Sequence, residues 1–223
     1  ELCWVLDVMR DNTPPGFNEV MDKVLGGNPL SRDDGNNLNS RDFQFQLRIA
    51  SYFIRAGYAV DLSQQADVIA TKDGITFFVE CKRIKSPKRV HTRIKEAYSQ
   101  LRRSLQGSIF CGNRFGVAAF DISKILHPHL GLTAADSDET CALAVRGQIS
   151  KFRDEYADAI EAQRHPRIIE VWLQVLCPCF NTKSGASFVL FSSLHNPGQW
   201  SSGPKYDAYH KLVEVFEIVN QDP

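Results

Sequence analysis

What this sequence lacks narrows it first. It has no net charge, with 26 Lys and Arg against 26 Asp and Glu over 223 residues. No global field therefore points to nucleic acid or to an anionic membrane, and any such partner has to be read from local clusters. It has no apolar run near the roughly 20 residues that cross a bilayer and no basic-then-apolar leader, so a soluble, cytoplasmic protein is the expectation. It lacks the dense cysteine spacing of a disulfide framework: Cys3, Cys81, Cys111, Cys141, Cys177 and Cys179 are scattered. A chain this long does not need such a framework, and a reducing compartment is expected. There is no internal repeat and no low-complexity tract. The chain opens at Glu1 rather than Met, as a processed or trimmed chain does, which leaves room for flanking domains.

A content of 43% hydrophobic residues supports one sizeable core, hence one domain or one domain with an appendage. Residues 3–25 carry apolar positions at helical spacing (Trp4, Val5, Val8, Met9, then Phe17, Val20, Met21, Val24, Leu25), broken at Thr13-Pro14-Pro15-Gly16, which reads as two helices and a turn. Residues 26–41 are rich in Gly, Asn, Asp and Ser and read as a surface loop. Phe43, Leu47, Ala50, Phe53 and Ile54 mark a core helix that Gly57 stops. Strands are predicted at 58–62, 67–71 and 75–81, a helix at 90–105 and a strand at 115–120. Beyond them come a helix at 150–162, strands at 168–176 and 187–191, and a helix or strand at 209–219.

The informative stretch is A-D-V-I-A-T-K-D-G-I-T-F-F-V-E-C-K-R, residues 66–83. Asp73-Gly74 between two β-prone runs signals a two-residue type I′ turn, which needs positive φ at both positions. With Lys72 and Ile75 as the pair flanking the turn, Asp67 falls directly opposite Glu80. Opposed residues have Cβ atoms about 4.5 to 5.5 Å apart, and like charges there repel. A divalent cation held between the carboxylates offsets that repulsion, and Mg²⁺ commonly takes one or two carboxylates while keeping waters. Lys82 projects from the same face by strand alternation, whereas Val68, Ala70, Phe77, Val79 and Cys81 point the other way. One face is thus expected to pack and the other to do chemistry. A Glu-x-Lys triplet by itself is more often a solvated or salt-bridged strand edge; the register, the opposed Asp67 and the apolar reverse face are what favour a site.

The segment after the hairpin is basic. From Lys82 to Arg103 there are nine basic residues (Lys82, Arg83, Lys85, Lys88, Arg89, Arg93, Lys95, Arg102, Arg103) and one acid, Glu96. Such an imbalance in a neutral protein suits contact with a phosphate backbone better than a merely solvated helix face does. Other candidates are weaker. Cys177-Pro178-Cys179 has neither the two-residue spacing nor the second pair of a zinc site and reads as buried or strand-end thiols. His127-Pro128-His129 reads as a surface loop, Cys81 as core rather than nucleophile, and Trp200 with the 206–209 aromatics as a cap on the core or a partner contact.

The order helix, three strands with an acid on the second and (D/E)-x-K on the third, then helix and strand, resembles the PD-(D/E)XK nuclease superfamily over residues 43–121. Asp67 matches the lone acid, Glu80-Cys81-Lys82 the triplet, and Gln100 in A-Y-S-Q-L-R-R the Gln that several branches carry near the active site. Two departures stand: Gln44 and Gln46 occupy the place where many members have a Glu on the first helix, and Ala66 replaces the proline of the family name. The resemblance implies an α/β restriction-endonuclease-like core, a mixed central sheet flanked by helices. Residues 1–40 would form an N-terminal helical segment and loop, and residues 41–223 the nuclease domain, with its core at 43–121 and an extension at 122–223. It implies Mg²⁺, which Mn²⁺ can replace, on Asp67, Glu80 and the Cys81 backbone carbonyl, with one metal better supported than two. Lys82 and Gln100 would complete the catalytic set, and Arg83, Lys85, Lys88, Arg89, Arg93 and Lys95 would contact nucleic acid. Little in the chain separates DNA from RNA; no aromatic-rich platform for a single strand stands out, so contact with a duplex backbone, DNA first, is preferred on the family's precedent. The activity implied is phosphodiester hydrolysis, by an endonuclease in restriction, anti-phage defence or repair. Cutting both strands implies two active sites and so a homodimer or larger assembly. The rival expectation is a nuclease-like domain that has lost catalysis and serves as a nucleic-acid-binding or assembly module, for which Gln46 is the hint.

Overall fold

The computed structural model describes residues 2–27, 39–106, 113–127, 132–162, 164–195, 197–198 and 200–220. Its elements in chain order are α1 (Leu2–Arg10), α2 (Phe17–Leu25), α3 (Asn39–Arg55), β1 (Ala59–Asp61), β2 (Val68–Lys72), β3 (Ile75–Arg83), α4 (Val90–Gln106), β4 (Arg114–Asp121), α5 (Ser123–Leu126), β5 (Thr133–Ala135), α6 (Asp138–Glu155), α7 (Ala157–Glu161), β6 (Ile168–Asn181), β7 (Ser187–His195) and α8 (Pro204–Asn220). The predicted α/β class with a mixed sheet between helices holds. The seven strands form one sheet in which β1-β2-β3 are antiparallel, β3, β4 and β6 are parallel, and β7 returns antiparallel on β6. No helix among the described residues is long and apolar enough to cross a membrane.

Alternation along β3 feeds two cores. Phe77, Val79 and Cys81 join Val68 and Ala70 in the cluster under α3, while Phe78 joins the cluster under α4. Both faces are covered because α4 is the crossover between parallel β3 and β4, and parallel strands are normally buried on both sides. This corrects the expectation of one packed and one open face: the second face is also packed, by Ile69 and Phe78, and only its end at Asp67, Glu80 and Lys82 is left for chemistry.

Helix α3 is buried continuously from Phe45 to Phe53, since the sheet covers one side and Val5 and Met9 of α1 and Val20 of α2 cover the other. A helix enclosed in this way is apolar around most of its circumference. Phe53 anchors an aromatic group with Tyr58, Phe77 and Trp172 at ring separations of 5.3, 6.0 and 5.9 Å. Gly57 ends the helix as expected: its φ is +77°, and Tyr58 N–H reaches back to Phe53 O at 3.0 Å while Gly57 N–H takes Ile54 O at 2.9 Å, which is the Schellman pattern.

The turn at 13–16 docks on the end of β1. Leu62 N–H donates to Pro15 O at 2.8 Å, and a Cβ on Gly16, whose φ is +80°, would stand 2.6 Å from the Leu62 carbonyl carbon. Gly16→Ala is therefore expected to cost about 2 kcal/mol in urea unfolding. A loss below about 0.5 kcal/mol would mean that this turn lifts off β1 freely.

Several boundaries differ from expectation, for identifiable reasons. The helix expected at 150–162 begins at Asp138, where the Ser137 hydroxyl caps it by accepting from Thr140 N–H, and it divides at Tyr156 into α6 and α7. Strand β6 runs on to Asn181; Pro178 is accommodated because β4 stops pairing at Gln174 and β5 begins at Cys179, so its missing N–H falls between partners. The C-terminal segment is helical, and α5 and β5 were not foreseen. Of the expected 26–41 loop, residues 39–41 already belong to α3 and 28–38 lie outside the described residues, as do Cys111 and His129. Cys177 and Cys179 are fully buried, and Trp200 packs on the α3-side core beside Tyr209.

Candidate active site

The hairpin register is the expected one. Val68 pairs with Val79 and Lys72 with Ile75, and Asp73 and Gly74 carry φ of +50° and +75°, as a type I′ turn requires. Carried one step past Val68, this register sets Asp67 against Glu80. Thr76 and Ile84 direct their N–H groups toward the β4 side, to Asn113 O and Asp121 O at 2.9 Å each. Odd-numbered residues of β3 therefore face β2. Cys81 N–H accordingly donates to Asp67 Oδ2 at 2.8 Å. A strand residue's N–H and C=O share one side, so the Cys81 carbonyl opens beside the Asp67 carboxylate.

The repulsion between the carboxylates is met by Lys82, whose Nζ lies 3.0 Å from Asp67 Oδ2 and 2.9 Å from Glu80 Oε2. Glu80 is 1% exposed. Burial, reinforced by Asp67 and opposed by Lys82, pushes its carboxyl up to about 8. Burial works against charge on Lys82, but Asp67 and Glu80 outweigh it and raise the ammonium's pKa. The Cys81 thiol is driven well above its ordinary range, mainly by burial, which suits a core group rather than a nucleophile. Gln46, on α3, donates through Nε2 to the Asp67 carbonyl. It ties the acid-bearing turn to the helix, a role not readable from its place in the sequence.

A cavity of about 660 Å³ opens over this group. One wall is the N-terminal part of α3 (Asp42, Phe43, Gln46) and the other is the α4 face of Thr92, Arg93, Glu96, Ser99, Gln100 and Arg103, with Asp67, Cys81 and Lys82 as its floor. Helical spacing alone puts 92, 96, 99 and 103 on one stripe. Gln100 lines this cavity, and its Oε1 is buried with no hydrogen-bond partner. Asp42, Thr92 and Ser99 were missed in the sequence, and Phe43 was read only as core; Asp42 precedes Gln46 by one turn of α3, the only signal it offered.

The basic residues divide into two groups. Lys85 pairs with Asp42 at 3.3 Å, Arg83 with Asp121 at 3.1 Å and Arg93 with Glu96 at 2.8 Å. Lys88, Arg89, Lys95, Arg102 and Arg103 are exposed and make no ion pair among the described residues.

The donor set fits a hard divalent cation. Among the described residues no three His, Cys, Asp or Glu side chains gather into a metal-holding group, but two carboxylates and a carbonyl are what an oxygen-seeking ion that retains waters uses. Glu80 Oε1 is buried and accepts from no donor, and the carboxyl's side-chain hydrogen bond with Asp67 favours its protonated form, so a charged Glu80 needs a cation beyond Lys82. Comparison with family models, with curated proteins and with solved structures finds no match.

Proposed function

We propose that this chain is a metal-dependent nuclease that hydrolyses phosphodiester bonds of DNA, an endonuclease of restriction, anti-phage defence or repair akin to the PD-(D/E)XK enzymes it resembles. The observation that carries the reading is the buried Glu80 carboxyl opposite Asp67, held by one lysine and beneath a cleft walled by the α4 cations. Asp67, Glu80 and the Cys81 carbonyl would hold Mg²⁺ or Mn²⁺. When bound, such an ion polarises a phosphodiester and lowers the pKa of a water. Lys82 stands between Glu80 and the cleft, so cation entry requires it to leave the carboxylates. Its ammonium is then free to orient the attacking water or to offset charge on the phosphate. The Gln100 amide has an open oxygen for the water, and Arg103 and Lys95 are placed for the backbone.

One observation favours the rival reading, a module that binds nucleic acid without cutting it: the Asp67–Lys82–Glu80 triad already balances most of its charge internally. Supercoiled plasmid with the purified chain separates the two. Nicking or linearisation in Mg²⁺ or Mn²⁺ that EDTA abolishes is expected; salt-sensitive binding without cutting under either metal supports the rival.

A further inference from the structure

We propose that a groove on the far side of α4 is a base-binding subsite that takes an unpaired nucleobase of the substrate strand, guanine in preference to thymine; this rests on the nuclease reading above. Helix α4 divides two cavities. His91, Ile94, Lys95 and Tyr98, at i, i+3, i+4 and i+7, line a second one of about 290 Å³, closed on its other side by Asp158, Ala159 and Ala162 of α7 and its C-cap. That volume corresponds to about ten waters at roughly 30 Å³ each, enough for a planar ring. The space exists because α7 presents alanines where larger side chains would meet α4.

Lys95 lines both cavities. It is exposed and makes no ion pair among the described residues, so a phosphate held on this ridge has the catalytic cleft on one side and the groove on the other. The groove's floor is apolar. Ile94 and Tyr98 are 2% and 1% exposed and, with the Tyr98 hydroxyl committed to Ile160 O at 2.5 Å, they close the groove from below, so the ring open to a flat partner is that of the exposed His91. At the rim stand His91, edge-on to Tyr156 at 5.9 Å, and the Asp158 carboxylate, which is exposed and makes no ion pair among the described residues. An ionised carboxylate only accepts hydrogen bonds. It therefore selects a base edge that presents donors, and guanine offers N1–H and N2–H₂ side by side where thymine offers one N–H. A base can reach the groove only when it is out of a duplex stack.

The test uses the whole chain and single-stranded oligonucleotides: oligo-dT, and the same length with one dG. Binding is followed by fluorescence anisotropy in Ca²⁺, and cleavage separately in Mg²⁺. About tenfold tighter binding of the dG strand is expected, with the preference lost in Asp158→Asn. Ala162→Leu, which fills the groove, should remove it too while leaving oligo-dT cleavage unchanged. Equal binding of the two strands by an active nuclease, or a preference that survives both substitutions, overturns the subsite alone. A chain that cuts plasmid in Mg²⁺ but neither binds nor cuts either strand also overturns the subsite alone, whereas one that cuts neither plasmid nor oligonucleotide overturns the nuclease reading, and the subsite with it.

Discussion

Glu80→Gln is expected to lower plasmid cleavage on the order of a thousandfold, the equivalent of roughly 4 kcal/mol of transition-state stabilisation, because the amide keeps the shape of the carboxylate and discards its charge. Asp67→Ala and Lys82→Ala should fall comparably, since under the proposed reading the three groups would act on one phosphate and their losses would not add. The same substitution carries a second readout independent of catalysis. In metal-free wild type the Glu80 carboxyl sits at about 8, raised chiefly by burial, against an ordinary value near 4.5. Between those values the folded chain holds a proton that the unfolded chain has released. Stability therefore falls as pH rises through that window and stays low above it. Glu80→Gln removes that titration, so in EDTA its melting temperature should decline less than wild type's from pH 5 to pH 9. Mg²⁺ should raise the wild-type melting temperature at pH 8 and leave the variant nearly unmoved. Undiminished cleavage by the variant would remove Glu80 from the site, whatever the melting curves show.

The parts of this site legible in the sequence are those that local chemistry determines. Asp73-Gly74 specifies a turn, the turn specifies the pairing, and the pairing places Asp67 against Glu80 without any knowledge of the rest of the chain. Gly57 is of the same kind, a stop written into one residue. What stayed hidden depends on elements far apart in sequence. Gln46 could be seen as a weak substitute for a helix Glu, but its bond to the Asp67 carbonyl exists only because α3 packs over the end of β2. Lys82 could be placed on the face of Asp67 and Glu80, yet the bridge it makes between both carboxylates follows from the burial that packing imposes on β3. Arg83 and Lys85 read as phosphate contacts by composition; Asp42 and Asp121, 41 residues before and 38 after Arg83 in the numbering, claim them instead.

Asp121→Ala is expected to be the most damaging substitution away from the cleft, at about 3 to 5 kcal/mol in urea unfolding. Asp121 ends β4 and is 6% exposed, and four elements converge on it. Its Oδ2 receives Arg83 Nε of β3 at 3.1 Å and faces Arg48 Nη2 of α3 at 3.9 Å. Its Oδ1 accepts from Ser123 N–H at 2.9 Å and from the Ser123 hydroxyl, whose oxygen in turn accepts from Leu176 N–H of β6 at 2.9 Å. Burial acts to raise its pKa, but the two guanidiniums and the Ser123 bonds prevail and hold it below the ordinary carboxylate range. The stabilisation is thus present at neutral pH and lost as pH falls through that depressed value. Removing the carboxylate takes from two buried guanidiniums the anion they share, a larger penalty than the pair's own attraction. Asp121→Asn keeps the Ser123 bond and loses the charge, so its cost should fall between wild type and alanine, and Arg48→Met combined with Asp121→Asn should recover part of it. Because Arg83 directly follows Lys82, the alanine variant should also loosen the strand that carries the triad, lowering cleavage at temperatures where it remains folded. A loss under about 1 kcal/mol for Asp121→Ala would show that solvent reaches this group and that the end of β4 is held by the apolar core alone.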